Sequence, residues 1–221
     1  MKKIYTTLVL IIGLNIVSPF GFSQNNQIKI EFIGNASLYM TDGNLHVYVD
    51  FPYKSGAHNY MEYDESQVDR IQEDAIVIFT HRHTDHYSKK LLNNIKGKVY
   101  GNWNTETLNE LNNSVEGFSV KAIKTPHKFT TKHYSYVITW HNKKIYISGD
   151  TGDLEEVSKI KDIDWAFINP WLFMNAQNEK VTIDAKMFGI YHLYPDQKVP
   201  EERPDNIVFL KEQNKILLLP Y

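Results

Sequence analysis

The stretch that decides the fold reads Thr80-His81-Arg82-His83-Thr84-Asp85-His86 and follows directly on the apolar run Ala75-Ile76-Val77-Ile78-Phe79. Imidazole suits Zn, Mn and Fe, and a nearby carboxylate supplies charge. A chain with only nine His rarely gathers three of them in so short a segment by chance. The motif therefore predicts a metal site, with a solvated polar loop after a strand as the alternative.

The spacing within this motif predicts two metal positions. His81 and His83 point the same way only where the backbone stays extended beyond the strand. Asp85 and His86 lie past the bend, so the turn divides the four side chains between adjacent positions. A single tetrahedral ion that used all four would keep no open position for water.

The beginning of the chain is typical of a secretory signal peptide. Lys2 and Lys3 precede a mostly apolar stretch at 4–17, and small residues follow up to Ser23. The stretch is shorter than the roughly 20 residues of a transmembrane helix, although an uncleaved anchor is the alternative. We expect a signal peptide at residues 1–23, a mature domain at 24–221, and a periplasmic or secreted protein.

Composition limits the ligands and the partners. The chain has no Cys, so thiolate ligands and disulfides are excluded and every metal ligand is His, Asp or Glu. Cleavage after residue 23 removes two Lys and no acid, which takes the net charge from −2 to about −4. Without a basic block we expect a small-molecule substrate, no nucleic acid and no stable membrane span, and the oligomeric state is open.

Short β-branched and aromatic runs alternate with Gly, Asn and Asp turns along the mature chain. They predict strands at residues 28–33, 37–41, 45–50, 75–79, 118–124, 134–140, 144–148, 164–168, 188–192, 207–210 and 215–219. Helices are expected at 88–95, with Ser88 as N-cap, and at 104–112 and 153–160. This pattern predicts an α/β (α+β) domain in which two sheets pack face to face with helices outside.

Further candidate ligands stand where predicted strands end. His127 follows one strand, Asp150 follows Ser148-Gly149 after another, and His192 leaves an apolar aromatic run. Taken singly, each has an ordinary explanation as a turn residue, a cap or a hydrogen-bonded core residue. Loops at strand ends can nevertheless present converging side chains, so the three residues become candidates together with the motif.

With these residues the chain resembles the metallo-β-lactamase superfamily of metal-dependent hydrolases. The resemblance covers nearly the whole mature chain and rests on the motif at 80–86, on His127, on the motif at 148–151 and on His192. Segments at 34–38 and 49–52 are most similar to the branch of ascorbate-6-phosphate lactonase-like and N-acyl phosphatidylethanolamine phospholipase D-like proteins. The resemblance implies a four-layer αββα sandwich with the site at one edge of both sheets.

The resemblance also implies a role for each candidate. His81, His83 and His127 would hold one metal ion. Asp85, His86 and His192 would hold the second, and Asp150 would bridge both. Asp85 and Asp150 would be catalytic, and Asp50 would accept a hydrogen bond from a ligating imidazole, which needs such an acceptor for its other N–H.

These expectations define a function. We expect an exported metal-dependent hydrolase that uses a dinuclear metal-bound hydroxide to cleave an ester-type bond, with lactone or phosphodiester ahead of amide. Two divalent ions are expected, with Zn first and Mn or Fe as alternatives. The alternatives are a non-catalytic periplasmic metal- or ligand-binding protein and a β-lactam or amide hydrolase. The Cys-dependent β-lactamases are disfavoured because position 150 is Asp.

Two segments are candidates for substrate contacts. The segment at 52–74 is too polar and aromatic for a simple connector, and His58 within it could reach the mouth of the site. Trp171 follows a strand end and could form a pocket wall, although burial in the core is the alternative. His46, His133 and His141 have no ligand spacing and are interpreted as structural or surface residues.

Overall fold

The structure is a computed structural model that describes residues 26–51 and 54–221. The predicted signal peptide at residues 1–23 lies outside the described residues, as do residues 52 and 53 of the predicted substrate segment. No helix within the described part of the chain has the length and apolar character needed to cross a membrane.

The described residues form a strand-rich domain. The strands are β1 (Gln27–Gly34), β2 (Ser37–Thr41), β3 (His46–Val49), β4 (Ile76–Ile78), β5 (Lys98–Tyr100), β6 (Phe118–Lys124), β7 (Tyr134–Trp140), β8 (Lys143–Ile147), β9 (Ile163–Ile168), β10 (Ala185–Ile190), β11 (Ile207–Phe209) and β12 (Lys215–Pro220). The α-helices are α1 (Lys89–Leu92), α2 (Leu108–Ser114), α3 (Glu155–Lys159) and α4 (Pro170–Glu179). Short 3₁₀ turns cover Ala57–Asn59, Glu65–Arg70 and Thr105–Thr107.

The strands form two six-stranded mixed sheets, in the orders β12-β1-β2-β3-β4-β5 and β11-β10-β9-β8-β7-β6. In the first sheet β3, β4 and β5 run parallel, and in the second β8, β9, β10 and β11 run parallel. The remaining neighbours are antiparallel. Each sheet therefore has a group of parallel strands whose carboxyl ends lie at one edge.

Alternation of apolar residues directs one face of each sheet into a shared core. Ile28, Ile30 and Phe32 of β1 are fully buried, and they pack in one cluster with Ile138 and Phe167 of the opposite sheet. A period of two residues is what a strand needs to present one apolar face. This central core joins the two sheets face to face.

The outer faces of both sheets are covered as well. Val157 of α3 and Leu172 of α4 pack on Ile168 outside the second sheet. Outside the first sheet, Val68 and Ile71 pack with Val77. The predicted four-layer αββα sandwich of two sheets between outer helices is therefore confirmed.

One predicted helix is shorter than expected, and two elements of the fold were not predicted. The helix expected at 88–95 is only α1, because an Asn pair, a poor helix former, follows Leu92. The three-residue strand β5 was not predicted. Helix α4 was also missed, although Asn169 caps it by accepting a hydrogen bond from the Leu172 N–H at 2.7 Å and Pro170 occupies its first turn.

Candidate metal centre

The candidate ligands are brought together because their strands end at the same edge of the sandwich. β3 and β4 are parallel neighbours, so Asp50 and Thr80 follow them side by side, and the Asp50 N–H donates to the Ile78 carbonyl at 2.8 Å. In the second sheet, β8 and β10 both run parallel to β9, which places Asp150 and His192 at one edge. This arrangement positions side chains that are distant in sequence.

All seven predicted ligand residues fall into two groups. The members of each group offer one nitrogen or oxygen atom apiece, and these atoms lie within 4.8 Å of one another. The first group, called here the His group, comprises His81, His83, His127 and Asp150. The second, called the mixed group, comprises Asp85, His86, Asp150 and His192.

Asp150 belongs to both groups and turns a different oxygen toward each. Its Oδ1 lies 3.1 Å from His86 Nε2 and 3.3 Å from His192 Nε2. Its Oδ2 lies 3.7 Å from His81 Nε2 and 3.8 Å from His127 Nε2. A carboxylate in this position fits the role of a ligand shared between two adjacent ions.

Ring nitrogens face each other within each group. His83 Nδ1 and His127 Nε2 are 3.2 Å apart, and His86 Nε2 and His192 Nε2 are 3.0 Å apart. The buried atom His81 Nε2 has no hydrogen-bond partner among the described residues. Buried polar atoms without partners are unfavourable, so this convergence fits a cation at each group.

The charges in the mixed group also favour a cation. Burial lowers the pKa of His86, but the carboxylates of Asp150, Asp50 and Asp85 outweigh burial and raise it well above the ordinary value. Burial likewise lowers the pKa of His192, but Asp150 and Asp85 together outweigh burial and raise it above the ordinary value. The same carboxylates would stabilise a divalent ion in this position, and the ion would bind the two rings in their neutral form.

Asp50 and Thr80 orient two of the imidazoles. Asp50 is fully buried, and its carboxylate accepts hydrogen bonds from the His86 Nδ1–H at 2.9 Å and from the Thr80 N–H at 2.8 Å. The Thr80 hydroxyl donates to Asp50 at 2.8 Å and lies 3.0 Å from His81 Nδ1. The Nε2 atoms of both rings are thus left to face the groups. The expected contact of Asp50 with an imidazole is present, whereas the part of Thr80 was not predicted.

Asn35 ties the mixed group to the turn between β1 and β2. Its side-chain Nδ2 donates to the Asp85 carbonyl at 3.0 Å, and its own carbonyl accepts from the His192 N–H at 2.8 Å. Asn35, Asp50 and His192 all have left-handed backbone conformations, with φ of 52°, 52° and 59°. Such conformations persist where the surroundings enforce them, and they cluster at functional sites.

The side chain of His133 binds the backbone of the loop that contains Asp150. Its Nε2 accepts a hydrogen bond from the Asp150 N–H at 2.8 Å, and its Nδ1 lies 2.8 Å from the Thr125 hydroxyl. Burial lowers the pKa of His133 to about 3, so the ring is neutral at physiological pH. The sequence predicts a structural or surface role for His133, whereas its contact with Asp150 makes it a further part of the site.

Two side chains at the beginning of α4 donate hydrogen bonds to the backbone carbonyls around Asp150. Asn169 Nδ2 donates to the carbonyls of Gly149 at 2.8 Å and Thr151 at 2.7 Å. Trp171 Nε1 donates to the Asp150 carbonyl at 3.0 Å, and its ring packs edge-on against His192 with centroids 5.1 Å apart. Asn169 was not predicted as part of the site, although its position before Pro170 marks it as a helix cap.

Two cavities open on the candidate ligands. One of about 670 Å³ is lined by Pro126, Gly152 and Asn175, and one of about 490 Å³ by Tyr60, Phe129 and Tyr194. Both also contact His127, Lys128, Asp150 and Trp171. The volumes lie in the range of small-molecule sites.

Both residues suggested for substrate contact line this space. His58 borders the smaller cavity, and its Nε2 lies 3.1 Å from the Thr84 hydroxyl. Trp171 is half-buried and borders both cavities. Whether these two side chains touch substrate stays a prediction. His46 and His141, by contrast, bond to Tyr39 and Asp42 and belong to neither ligand group.

Comparison with known proteins places the chain in a family. Residues 29–169 match the family described as the β-lactamase superfamily domain. This match covers more than half of the chain, so the chain belongs to that family. None of the curated proteins matches the chain.

Solved structures share the fold at low sequence identity. A candidate metal-dependent hydrolase from Parabacteroides distasonis is 21% identical with a TM-score of 0.60, over 84% of this chain and 94% of its own. A metallo hydrolase from Ignicoccus hospitalis is 13% identical with a TM-score of 0.61, over 88% and 99%. The isothiocyanate hydrolase from Delia radicum gut bacteria is 15% identical with a TM-score of 0.60, over 87% and 100%.

These findings confirm the expected class of protein. The chain has the metallo-β-lactamase fold, and its family together with the clustered His and Asp residues makes it a metal-dependent hydrolase of that superfamily. The narrower resemblance to the lactonase-like and phospholipase D-like branch stays a prediction.

Proposed function

We propose that the protein is an exported hydrolase that holds two divalent metal ions and cleaves an ester-type bond, with lactones and phosphodiesters ahead of amides. The observation that carries the proposal is the position of Asp150. Its two carboxylate oxygens face separate groups of ligand atoms, each within 4.8 Å of one another. A structural metal site closed by four ligands would need no such shared carboxylate.

The facing atoms suggest which residues would hold each ion. His81 Nε2, His83 Nδ1 and His127 Nε2 would bind the first. Asp85, His86 Nε2 and His192 Nε2 would bind the second, with Asp150 between them. Zinc is the first choice because it accepts imidazole nitrogens and carboxylate oxygens, and Mn or Fe suits the same set.

Two divalent ions at these positions would supply an activated water and a Lewis acid. The chain itself keeps Asp85 ionised. Burial raises the pKa of this carboxyl, but the neighbouring His86 and His192 outweigh burial and lower the pKa to about 2. An ionised Asp85 accepts a hydrogen bond from an attacking water and so directs its lone pair toward the substrate carbon or phosphorus.

Other side chains limit where the substrate lies. Trp171 forms a wall common to both cavities while its Nε1 fixes the Asp150 carbonyl, so a substrate beside this ring lies next to the shared carboxylate. His58, held by Thr84 at the rim of the smaller cavity, offers an imidazole to a polar group of the substrate. We therefore expect both side chains to contact the substrate.

The test is metal analysis of the purified protein combined with a hydrolysis screen of lactones, phosphodiesters and β-lactams. We expect about two metal ions per chain and turnover in the ester or phosphodiester set. Asp85→Asn is expected to lose turnover and keep its fold, whereas Asp205→Asn, at an exposed loop position, serves as the matched control. Less than one metal ion per chain would contradict the dinuclear proposal.

Two further results would redirect the proposal. Tight metal retention without hydrolysis of any substrate would identify the non-catalytic binding protein. Hydrolysis restricted to β-lactams would identify the amide hydrolase. Export is tested separately, by N-terminal sequencing of the protein recovered from the periplasm, where a mature chain beginning near Gln24 is expected.

A further inference from the structure

An aromatic side chain stands almost free of the protein at the mouth of the candidate metal centre. Phe129 is 98% exposed, and its backbone has a left-handed φ of 62°. A bulky residue in this conformation is strained, and a ring left in water contributes no burial to folding. Strained residues of this kind cluster at ligand-binding positions.

The loop that carries Phe129 is tied on both sides. His127 and Thr130 form an isolated β-bridge around it, and the Thr125 N–H donates to the His133 carbonyl at 3.1 Å. The Lys132 N–H donates to the Thr130 hydroxyl at 3.3 Å. The exposed ring is therefore presented two residues beyond His127, a candidate ligand, by a hydrogen-bonded turn.

Two tyrosines line the same cavity as Phe129. Tyr60 and Tyr194 stack with ring centroids 4.5 Å apart and an interplanar angle of 6°. The Tyr60 ring also packs edge-on against His192, with centroids 4.2 Å apart. The cavity of about 490 Å³ is thus bordered by aromatic rings beside the atoms of the mixed group. We call these three rings, Phe129, Tyr60 and Tyr194, the aromatic arm.

We propose that the aromatic arm binds an aryl group of the substrate, so that the enzyme prefers esters with an aromatic ring next to the scissile bond. A substrate ring in this cavity would pack against these side chains at the 4.5 to 7 Å centroid spacing that aromatic pairs favour. Its burial removes apolar surface of both substrate and Phe129 from water. The inference rests on the proposed hydrolytic function and names its substrate class.

The direct test needs no turnover. Phenylphosphonate and methylphosphonate carry the same anionic head, and binding of each to the metal-loaded protein is measured by calorimetry. We expect phenylphosphonate to bind about tenfold to a hundredfold more tightly, the effect of burying one aromatic ring. Equal binding of the two phosphonates, or no binding of phenylphosphonate, would overturn the inference.

Phe129→Asn removes the ring and keeps a residue that tolerates left-handed backbone. In this variant we expect the preference for phenylphosphonate to fall to about threefold or less, with no loss in the free energy of unfolding. Ile216→Thr, which changes a side chain 51% exposed on β12, is the matched control and is expected to retain the preference. An unchanged preference for phenylphosphonate in Phe129→Asn would show that Phe129 does not contact the aryl group.

Turnover separates this inference from the function on which it rests. Methyl phenylacetate and methyl acetate share a leaving group, as do a lactone with a phenyl group on the carbon next to its carbonyl and the unsubstituted lactone, so each pair isolates the aryl effect on kcat/KM. Hydrolysis without aryl preference would contradict the inference and leave the proposed function standing. Preferential phenylphosphonate binding without any hydrolysis would contradict the proposed function and leave the aromatic arm as a binding site.

Discussion

The imidazole of His133 holds the backbone of Asp150, since its Nε2 accepts the Asp150 N–H at 2.8 Å. Because the Asp150 N–H can only donate, Nε2 carries no proton, and the Nδ1–H then donates to the Thr125 hydroxyl at 2.8 Å. The side chain of Asp150 faces both ligand groups, so a support at its backbone acts on both. His133 is therefore a positioning residue for the proposed centre.

Replacing this support should weaken metal binding. His133→Phe keeps a buried ring but leaves the Asp150 N–H without an acceptor, and we expect metal affinity to fall about tenfold to a hundredfold. His133→Gln can still accept the hydrogen bond and should recover part of the loss. Competition titration with a chelator measures the affinity, and His46→Phe, which loses only a contact with Tyr39, is the control. Wild-type affinity in folded His133→Phe would contradict the assignment.

The difference between His127 and His133 shows what sequence could and could not predict. His127 follows a predicted strand and matches a family motif, so it was identified with the other ligands. His133 precedes the next strand and belongs to no motif. It reaches the Asp150 N–H only in the folded chain, where β7 pairs with β6. Contacts made through the backbone of a distant residue leave no pattern in the sequence.

The elements of the fold also differ in whether their own residues carry a sequence signal. Period-two burial in β1 and the continuous apolar run through Ile76–Ile78 were readable because the side chains themselves carry the signal. Helix α4 also carries a sequence signal, because an Asn N-cap at 169 precedes a Pro in the first helical turn. The three-residue strand β5 had no signal of its own, because it is defined by pairing with β4.

Asp50 should matter for metal binding without being a ligand. Three groups donate hydrogen bonds to the Asp50 carboxylate: the His86 Nδ1–H, the Thr80 N–H and the Thr80 hydroxyl. In Asp50→Asn one carboxylate oxygen is replaced by an NH₂ group, which would face the His86 Nδ1–H or the Thr80 N–H donor to donor. We expect metal affinity to fall about tenfold to a hundredfold, and the free energy of unfolding to fall as well. Thr80→Ser keeps the hydroxyl and should stay close to the wild type. An unchanged chelator titration in Asp50→Asn would contradict the role.

Single substitutions can separate the two proposed metal positions. His127→Ala removes a ligand of the His group alone and His192→Ala one of the mixed group alone, so each should lower the content from about two ions per chain to about one. Asp150→Ala removes the shared ligand and should weaken both positions. Metal analysis after equilibrium dialysis measures the content. Loss of a single ion in Asp150→Ala, with the other held at wild-type affinity, would contradict a bridging carboxylate.

Gly149 permits the close packing beneath the site. Its φ is 56°, and a Cβ added there would lie 2.5 Å from His133 Nε2 and 2.9 Å from Thr80 Cβ. Gly149→Ala combines a left-handed Ala with overpacking, and we expect it to lower the free energy of unfolding by about 2 to 5 kcal/mol. Gly43→Ala, with φ of 97° and nothing within 4 Å of the added Cβ, isolates the backbone effect. Equal losses of stability in urea denaturation of the two variants would contradict the packing argument.

Asp164 gives the fold a pH dependence that is independent of the metal centre. Its carboxylate accepts hydrogen bonds from the Lys186 ammonium at 2.7 Å and from the Lys144 N–H at 2.9 Å. Burial raises the pKa of Asp164, but these donors outweigh burial, so the pKa lies below its ordinary value of 3.8. The folded state then binds this proton more weakly than the unfolded chain. The stabilisation is complete above the unfolded-state pKa and is lost as pH falls through the folded-state pKa.

Asp164→Asn should therefore lower the free energy of unfolding by about 1 kcal/mol at pH 7, and the difference from the wild type should shrink below about pH 4. Urea denaturation of the metal-free proteins at pH 7, 5 and 3.5 measures it. Lys186→Met removes only the ammonium, which is largely exposed, and should have less effect than Asp164→Asn because the Lys144 N–H still reaches the carboxylate. A difference that grows toward acid pH would show that the folded protein binds the Asp164 proton more tightly, the opposite sign.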